Sequence, residues 1–149
     1  MDWLKPLAAT VVALDTAPMT YFIEKHPTYI GLLTPFFEAL DRGGFRAVTS
    51  TLTLAEVLVH PLRSGQSSLA AEYLRILSNS RNFVVLPVSD AIAVEAARLR
   101  AFHTLKTPDA IQFATAIIGG AASFLTNDTR LTSIPNVRIV VLNQLLASP

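Results

Sequence analysis

The sequence predicts an α/β fold, a parallel sheet with helices on its faces. Short, nearly all-apolar runs rich in β-branched residues alternate with longer segments of helical spacing. No internal repeat, low-complexity tract or linker breaks that alternation, and 149 residues fit one compact domain, so a single domain over 1–149 is expected.

Residues 10–14 (TVVAL) read as a strand buried on both faces. Pro18 suits the first turn of the helix that follows. Leu32, Leu33, Phe36, Phe37 and Leu40 have helical spacing, and the Gly43-Gly44 pair ends that helix. Residues 46–50 form the second strand, and the Thr49-Ser50-Thr51 cluster caps a helix carrying Glu56, broken by Pro61 and Gly65. A helix over about 68–77 follows. Residues 83–86 (FVVL) are the third strand, stopped by Pro87. Ser89 caps a helix reaching about Phe102; Thr107 caps the next, with Pro108 in its first turn. Residues 123–126 and 138–142 supply the fourth and fifth strands.

Composition narrows the function classes. The chain is 51% hydrophobic and 15% charged. It can therefore build a sizeable core and still leave apolar surface, which often marks a partner site. No segment reads as membrane-spanning: the apolar stretch over 110–125 is interrupted by Gln112 and Gly119-Gly120. The first residues carry Asp2 and no basic cluster, so no secretory signal is expected. The lack of cysteine excludes disulfides and thiolate metal sites, and a cytoplasmic protein is expected. With a net charge of +1, any polyanion must be met by local positive charge or by a metal.

Only eleven carboxylates are present, so their placement carries information. Ligands of parallel α/β sheets bind beyond the carboxyl ends of the strands. Asp15 directly follows the first strand and Asp128 the fourth. Glu56 lies in a helix between apolar flanks, and Asp109 in the first turn of another, both where a buried face is expected. Taken singly, each has a plainer reading: Asp15 and Asp128 as helix N-caps, Asp109 as a complement to the helix dipole, Glu56 as a solvated residue. Taken together, carboxylates converging on one sheet edge repel one another, and a divalent cation relieves that repulsion. All-oxygen ligation favours Mg²⁺ or Mn²⁺ over zinc.

Four blocks in order, Leu14-Asp15-Thr16, Thr53-Leu54-Ala55-Glu56-Val57-Leu58, residues 107–116 (TPDAIQFATA) and Phe124-Leu125-Thr126-Asn127-Asp128, resemble the PIN domain, and most of all its VapC-like toxin branch. Residues 56–65 (EVLVHPLRSG) are similar to that branch as well, and the resemblance runs from about Val11 to Leu142. It implies a three-layer α/β/α sandwich with a mostly parallel sheet of four or five strands. It implies Mg²⁺ or Mn²⁺ held by Asp15, Glu56, Asp109 and Asp128, and hydrolysis of RNA. It also implies a toxin neutralised by a cognate antitoxin; homodimerisation is expected too. Thr16 and Thr126 match small hydroxylic positions beside the acids, and Asn127 either supports the site or favours a turn. Arg63, Lys106 and Arg130 are the candidate phosphate contacts; an ordinary solvated charge is the plainer reading of each. His60 and His103 are assigned to packing or surface roles.

Other classes fit less well. A haloacid-dehalogenase-type phosphotransferase needs a second Asp two residues after the first, where Ala17 stands. A receiver domain needs its phosphoacceptor after a middle strand, where Pro87-Val88-Ser89 stands. A PIN-like scaffold that binds RNA or protein without cutting is the remaining alternative, as is a housekeeping ribonuclease.

Overall fold

The computed structural model describes residues 2–131 and 136–146, so the outermost residues of the expected 1–149 span lie outside the described ones. After a short 3-10 turn, the elements run β1 (Val11–Leu14), α1 (Thr16–Ile23), α2 (Ile30–Asp41), β2 (Arg46–Ser50), α3 (Thr51–Val57), α4 (Val59–Arg63), α5 (Ser67–Asn79), β3 (Phe83–Leu86), α6 (Asp90–Phe102), α7 (Thr107–Ile118), β4 (Ser123–Thr126), β5 (Arg138–Val141) and α8 (Leu142–Leu146). The five strands form one sheet in the order β3-β2-β1-β4-β5, and every pair is parallel.

Period-two alternation along each strand builds the layers. Val12, Leu14, Ala47 and Leu125 face one side, where they pack with Met19, Ile23, Leu33, Phe36, Val57 and Tyr73. Ala13, Val48 and Phe124 face the other, against Ile92, Leu99, Ala110 and Phe113 of α6 and α7. The result is a three-layer α/β/α sandwich with β1 at its centre, which explains why β1 is apolar at every position. Alanines at positions 110, 114 and 116, all fully buried, let α7 lie close to the sheet. At its end the approach is tighter still: a Cβ on Gly119 would stand 2.9 Å from the Thr115 carbonyl oxygen and 3.1 Å from Val48.

Three local expectations shift. The helix carrying Glu56 breaks at Leu58, before Pro61, and Pro61 sits in the first turn of α4, where its missing N–H costs nothing. Lys106 rather than Thr107 is the N-cap of α7, and it makes no side-chain capping bond. The last strand ends at Val141, because Leu142 already opens α8. Among the described residues, no helix is long and apolar enough to cross a membrane.

Candidate active site

The strand order reverses at β1: the chain steps outward through β2 and β3, then returns to add β4 and β5 on the other side. Such a switch point opens a crevice at the carboxyl ends of the strands. Asp15 follows β1 and Asp128 follows β4 by two residues, so the two acids flank that crevice. The Asp15 backbone N–H donates to the Leu125 carbonyl at 2.9 Å, which fixes it against the end of β4. α3 starts directly from the end of β2 and carries Glu56; α7 opens with Asp109 in its first turn.

Asp15, Glu56 and Asp128 are each held by hydrogen bonds. Asp15 is the N-cap of α1: its Oδ1 accepts from the Thr16 N–H at 2.8 Å, and its Oδ2 from the Thr126 hydroxyl at 2.7 Å. The Thr16 hydroxyl donates to Glu56 Oε1 at 2.7 Å, so one threonine joins two of the acids. Thr126 also accepts from the Asp128 N–H at 3.1 Å. Both threonines therefore act on the carboxylates. Asn127 does not: its amide donates to the Tyr21 hydroxyl and its oxygen accepts from the Asn143 N–H, so it ties the end of β4 to α1 and α8. Glu56 departs from the buried setting expected for it and is exposed, because Thr53 and Val57 take the buried face of α3.

Asp15 feels Glu56 and Asp128, and Asp109 feels Asp15 and Asp128. Burial pushes the Asp15 carboxyl above the ordinary aspartate value; the Thr126 and Thr16 hydrogen bonds oppose this, while Glu56 and Asp128 push it further up. Asp109 is also raised, first by burial and then by Asp15 and Asp128. Asp128 goes the other way, down to about 2, because Arg130 grips it. The Arg130 Nε donates to Asp128 Oδ1 at 3.0 Å and its Nη2 to Oδ2 at 2.8 Å, a two-pronged ion pair. Lys106 adds positive charge toward Asp109 and Asp128. Of the candidate phosphate contacts, Lys106 and Arg130 thus stand at the acids, lining with Asp109, Asp128 and His103 an open groove of about 600 Å³. Arg63 is exposed at the end of α4 and makes no ion pair with them. His103, given only a surface role by its sequence context, lines the groove; His60 contacts its neighbour Gln66.

The Arg130 pair makes a direct prediction. Asp128 has a depressed pKa, so its pairing is present above the ordinary aspartate value of 3.8 and lost as pH falls through about 2. In Arg130→Gln the Asp128 carboxyl should titrate higher than in the native chain, still held partly down by the backbone N–H of residue 130 and by Lys106, read by NMR of its side-chain carbon. An unchanged titration would show that the ion pair does not set it.

Beneath the acids lies a buried polar chain that sequence reading passed over. The Gln112 side chain, only 4% exposed, accepts from the Ser50 hydroxyl at 3.1 Å and donates to the Thr53 hydroxyl at 2.8 Å. Thr53 and Thr49 hydroxyls lie 2.7 Å apart, and Thr49 donates to the Leu14 carbonyl at 2.9 Å. A hydroxyl has one proton, so Thr53 donates to Thr49. The chain of bonds joins α7, α3 and the ends of β2 and β1, the elements that carry Asp109, Glu56 and Asp15. Its signal was Gln112 within the apolar stretch over 110–125, read there only as an interruption.

The donor set is all oxygen, without thiol or imidazole, and two of its carboxyls are raised by burial and by their neighbours. That chemistry fits a hard divalent cation. Among the described residues, no three Asp, Glu or His side chains stand close enough to enclose an ion by themselves. Mg²⁺ typically keeps several waters and takes only one or two carboxylates, so an open set of this kind suits it.

Comparison with known proteins agrees with this architecture. No curated protein sequence matches the chain. Among solved structures, VapBC2 from Rickettsia felis bound to a promoter DNA fragment is similar, with 20% identity, TM-score 0.69, 88% of this chain covered and 98% of that one. A toxin–antitoxin complex from Klebsiella pneumoniae shares 24% identity, TM-score 0.63, with 85% of this chain and 94% of that chain covered. The Mycobacterium tuberculosis toxin VapC20, which cleaves the sarcin-ricin loop, shares 17% identity, TM-score 0.62, with 76% and 86% covered. At these identities the likeness is one of fold. The sequence model of the PIN domain matches residues 12–137, most of the chain and all four acids, and on that match the chain belongs to the PIN domain family, a family of nucleases.

Proposed function

We propose that the chain is a Mg²⁺- or Mn²⁺-dependent endoribonuclease and the toxin of a toxin–antitoxin pair. The observation that carries this reading is the convergence of Asp15, Glu56, Asp109 and Asp128 on one sheet edge, with Asp15 and Asp109 raised by burial and by the other acids. Asp15, Glu56 and Asp109 would face the main cation, with no more than two of them ligating it directly and the rest acting through its waters; Asp128 contributes directly, through water, or at a second ion. A cation bound there supplies positive charge to the phosphate and lowers the pKa of water. The chain's own groups do the rest. Thr16 and Thr126 hold Glu56 and Asp15 in place, and Lys106 and Arg130 orient the phosphate in the groove. Water attacks phosphorus in line and the 3′ oxygen departs, leaving 5′-phosphate and 3′-hydroxyl ends. Among the described residues, no Ser/His/Asp or paired-His arrangement for a covalent intermediate or a 2′-hydroxyl attack stands out. The test is a titration of Mg²⁺ and Mn²⁺ against end-labelled single-stranded RNA, with Asp109→Asn as control. Metal-dependent products from the native protein only support the reading; binding without products favours the scaffold alternative.

The toxin role draws support from the fold shared with the Klebsiella pneumoniae toxin–antitoxin complex and the VapC20 toxin. It also draws on exposed apolar surface beside the site. Leu62, 66% exposed, and Val59 stand on α4, directly after the helix of Glu56. Such surface suits an apolar antitoxin helix or a second copy of the chain. Expression alone is expected to arrest bacterial growth, and co-expression of the small protein encoded next to it to restore growth. Healthy growth with soluble, active protein would count against the toxin role.

A further inference from the structure

We propose that the cleft between α6, the end of α7 and the start of β5 is a nucleobase pocket, in which one base of the RNA substrate stacks on Phe102. This rests on the ribonuclease reading and adds a subsite to it. The cleft holds about 360 Å³, within the range of roughly 300–1,000 Å³ for small-ligand sites. Leu99, Ile117 and Val137 give it apolar walls, and Arg98 and His103 bring polar groups to it. Phe102 lines it while remaining 81% exposed, more than any other large apolar side chain among the described residues. Core packing therefore does not account for this ring; a flat partner that covers it would.

Two observations select the partner. First, the cleft adjoins the acidic groove, because His103 lines both. A strand with its phosphate at the acids that continues past Lys106 and His103 reaches the Phe102 ring next. Second, residues 98–106 hold three cations, Arg98, Arg100 and Lys106, and no carboxylate, in a chain whose net charge is +1. Glu95, one turn earlier, pairs with Arg98 and lines the cleft with it, and Lys106 stands near Asp109 and Asp128. Cations tracking a backbone beside an aromatic platform are how single strands are bound with little sequence preference. An apolar protein segment would need no such run of positive charge.

The test measures binding of labelled single-stranded RNA to the full-length Asp109→Asn protein in Mg²⁺, and cleavage by the protein with Asp109 intact. Phe102 is exposed, so Phe102→Ala should melt as the native chain does. It is expected to weaken RNA binding about tenfold, within the range for loss of one stacked base, and Phe102→Trp to restore it. An RNA series with one abasic nucleotide moved along the strand locates the base: at one position, Phe102→Ala should cause no further loss. Native binding and cleavage by Phe102→Ala would overturn the pocket and leave the ribonuclease reading intact. So would an equal loss at every abasic position, or a loss confined to binding of the antitoxin. If the native chain neither binds nor cuts RNA, the ribonuclease reading itself fails, and the pocket with it.

Discussion

Asp15→Asn is expected to lose cleavage by on the order of 100- to 1,000-fold, the size seen when one preorganised charge-stabilising group is removed, and yet to melt at a higher temperature at pH 7. The two effects have one cause. The Asp15 carboxyl is raised mainly by burial, against its Thr126 and Thr16 hydrogen bonds, and further by Glu56 and Asp128. An acid whose folded pKa lies above its unfolded value costs stability once pH exceeds the unfolded value, because the unfolded chain then ionises more readily. The gain from Asn should therefore be absent below about pH 3.8 and should develop as pH rises through the folded pKa. Local structure should survive. Asn is as good an N-cap as Asp, its oxygen can still accept from the Thr16 N–H, and the Thr126 hydroxyl can accept where it had donated. A divalent cation should relieve the same repulsion, stabilising the native protein by about 2.7 kcal/mol at a hundred times its Kd, and should do much less for the variant. Thermal melts across pH, with and without Mg²⁺, measure all of this. Full activity in Asp15→Asn, or a melting temperature below that of the native protein, would remove Asp15 from the site.

Gln112→Leu is the second large effect, this time on stability. Leucine nearly matches glutamine in size, so little cavity forms. The Ser50 hydroxyl, however, loses its acceptor, and the Thr53 hydroxyl loses its donor. Leaving buried polar groups without partners costs about 1–3 kcal/mol each, so a loss of roughly 2–3 kcal/mol is expected. For a domain of this size that is on the order of 5–12 °C in melting temperature. Activity should also fall at temperatures where the variant is folded. The lost bonds lie between α7 and the region of α3 and β2, and displacements of about 1 Å can cost on the order of 100-fold in rate. A urea melt and a double-mutant cycle with Ser50→Ala test this; coupling near zero would mean that the chain of hydroxyls does not act as a unit. Gln112 would be a positioning residue, since it touches no carboxylate.

The strands were legible because burial on both faces forces an apolar run such as TVVAL, with turn residues between strands, while FVVL, an edge strand with Val84 exposed, was legible from its β-branched residues and Pro87. The caps at Ser50 and Ser89 were legible because a helix start needs a local side-chain acceptor. The ends of α3 and the start of α7 slipped by a few residues, since Pro61 and Thr107 each satisfy more than one position of a first turn. The positions of Asp15 and Asp128 after strands and of Glu56 and Asp109 on helices were legible because few carboxylates are present and they fall next to recognisable strand ends and helix starts. How each is held was not. Thr16 meets Glu56 across 40 positions of the chain and Thr126 meets Asp15 across 111, and no spacing rule spans such distances.

The sequence by itself determined the alternation of strands and helices, the parallel sheet it requires, and the residues that stand at the sheet's carboxyl edge. Those properties come from local propensity and from the periodicity of apolar side chains, which act over a few residues. Only the tertiary structure decided the order β3-β2-β1-β4-β5, the grip of Arg130 on Asp128, the Gln112 chain beneath the acids and the placing of the Phe102 cleft next to the acidic groove. Each of these depends on which surfaces meet when the layers close, and therefore on packing between segments far apart in the chain.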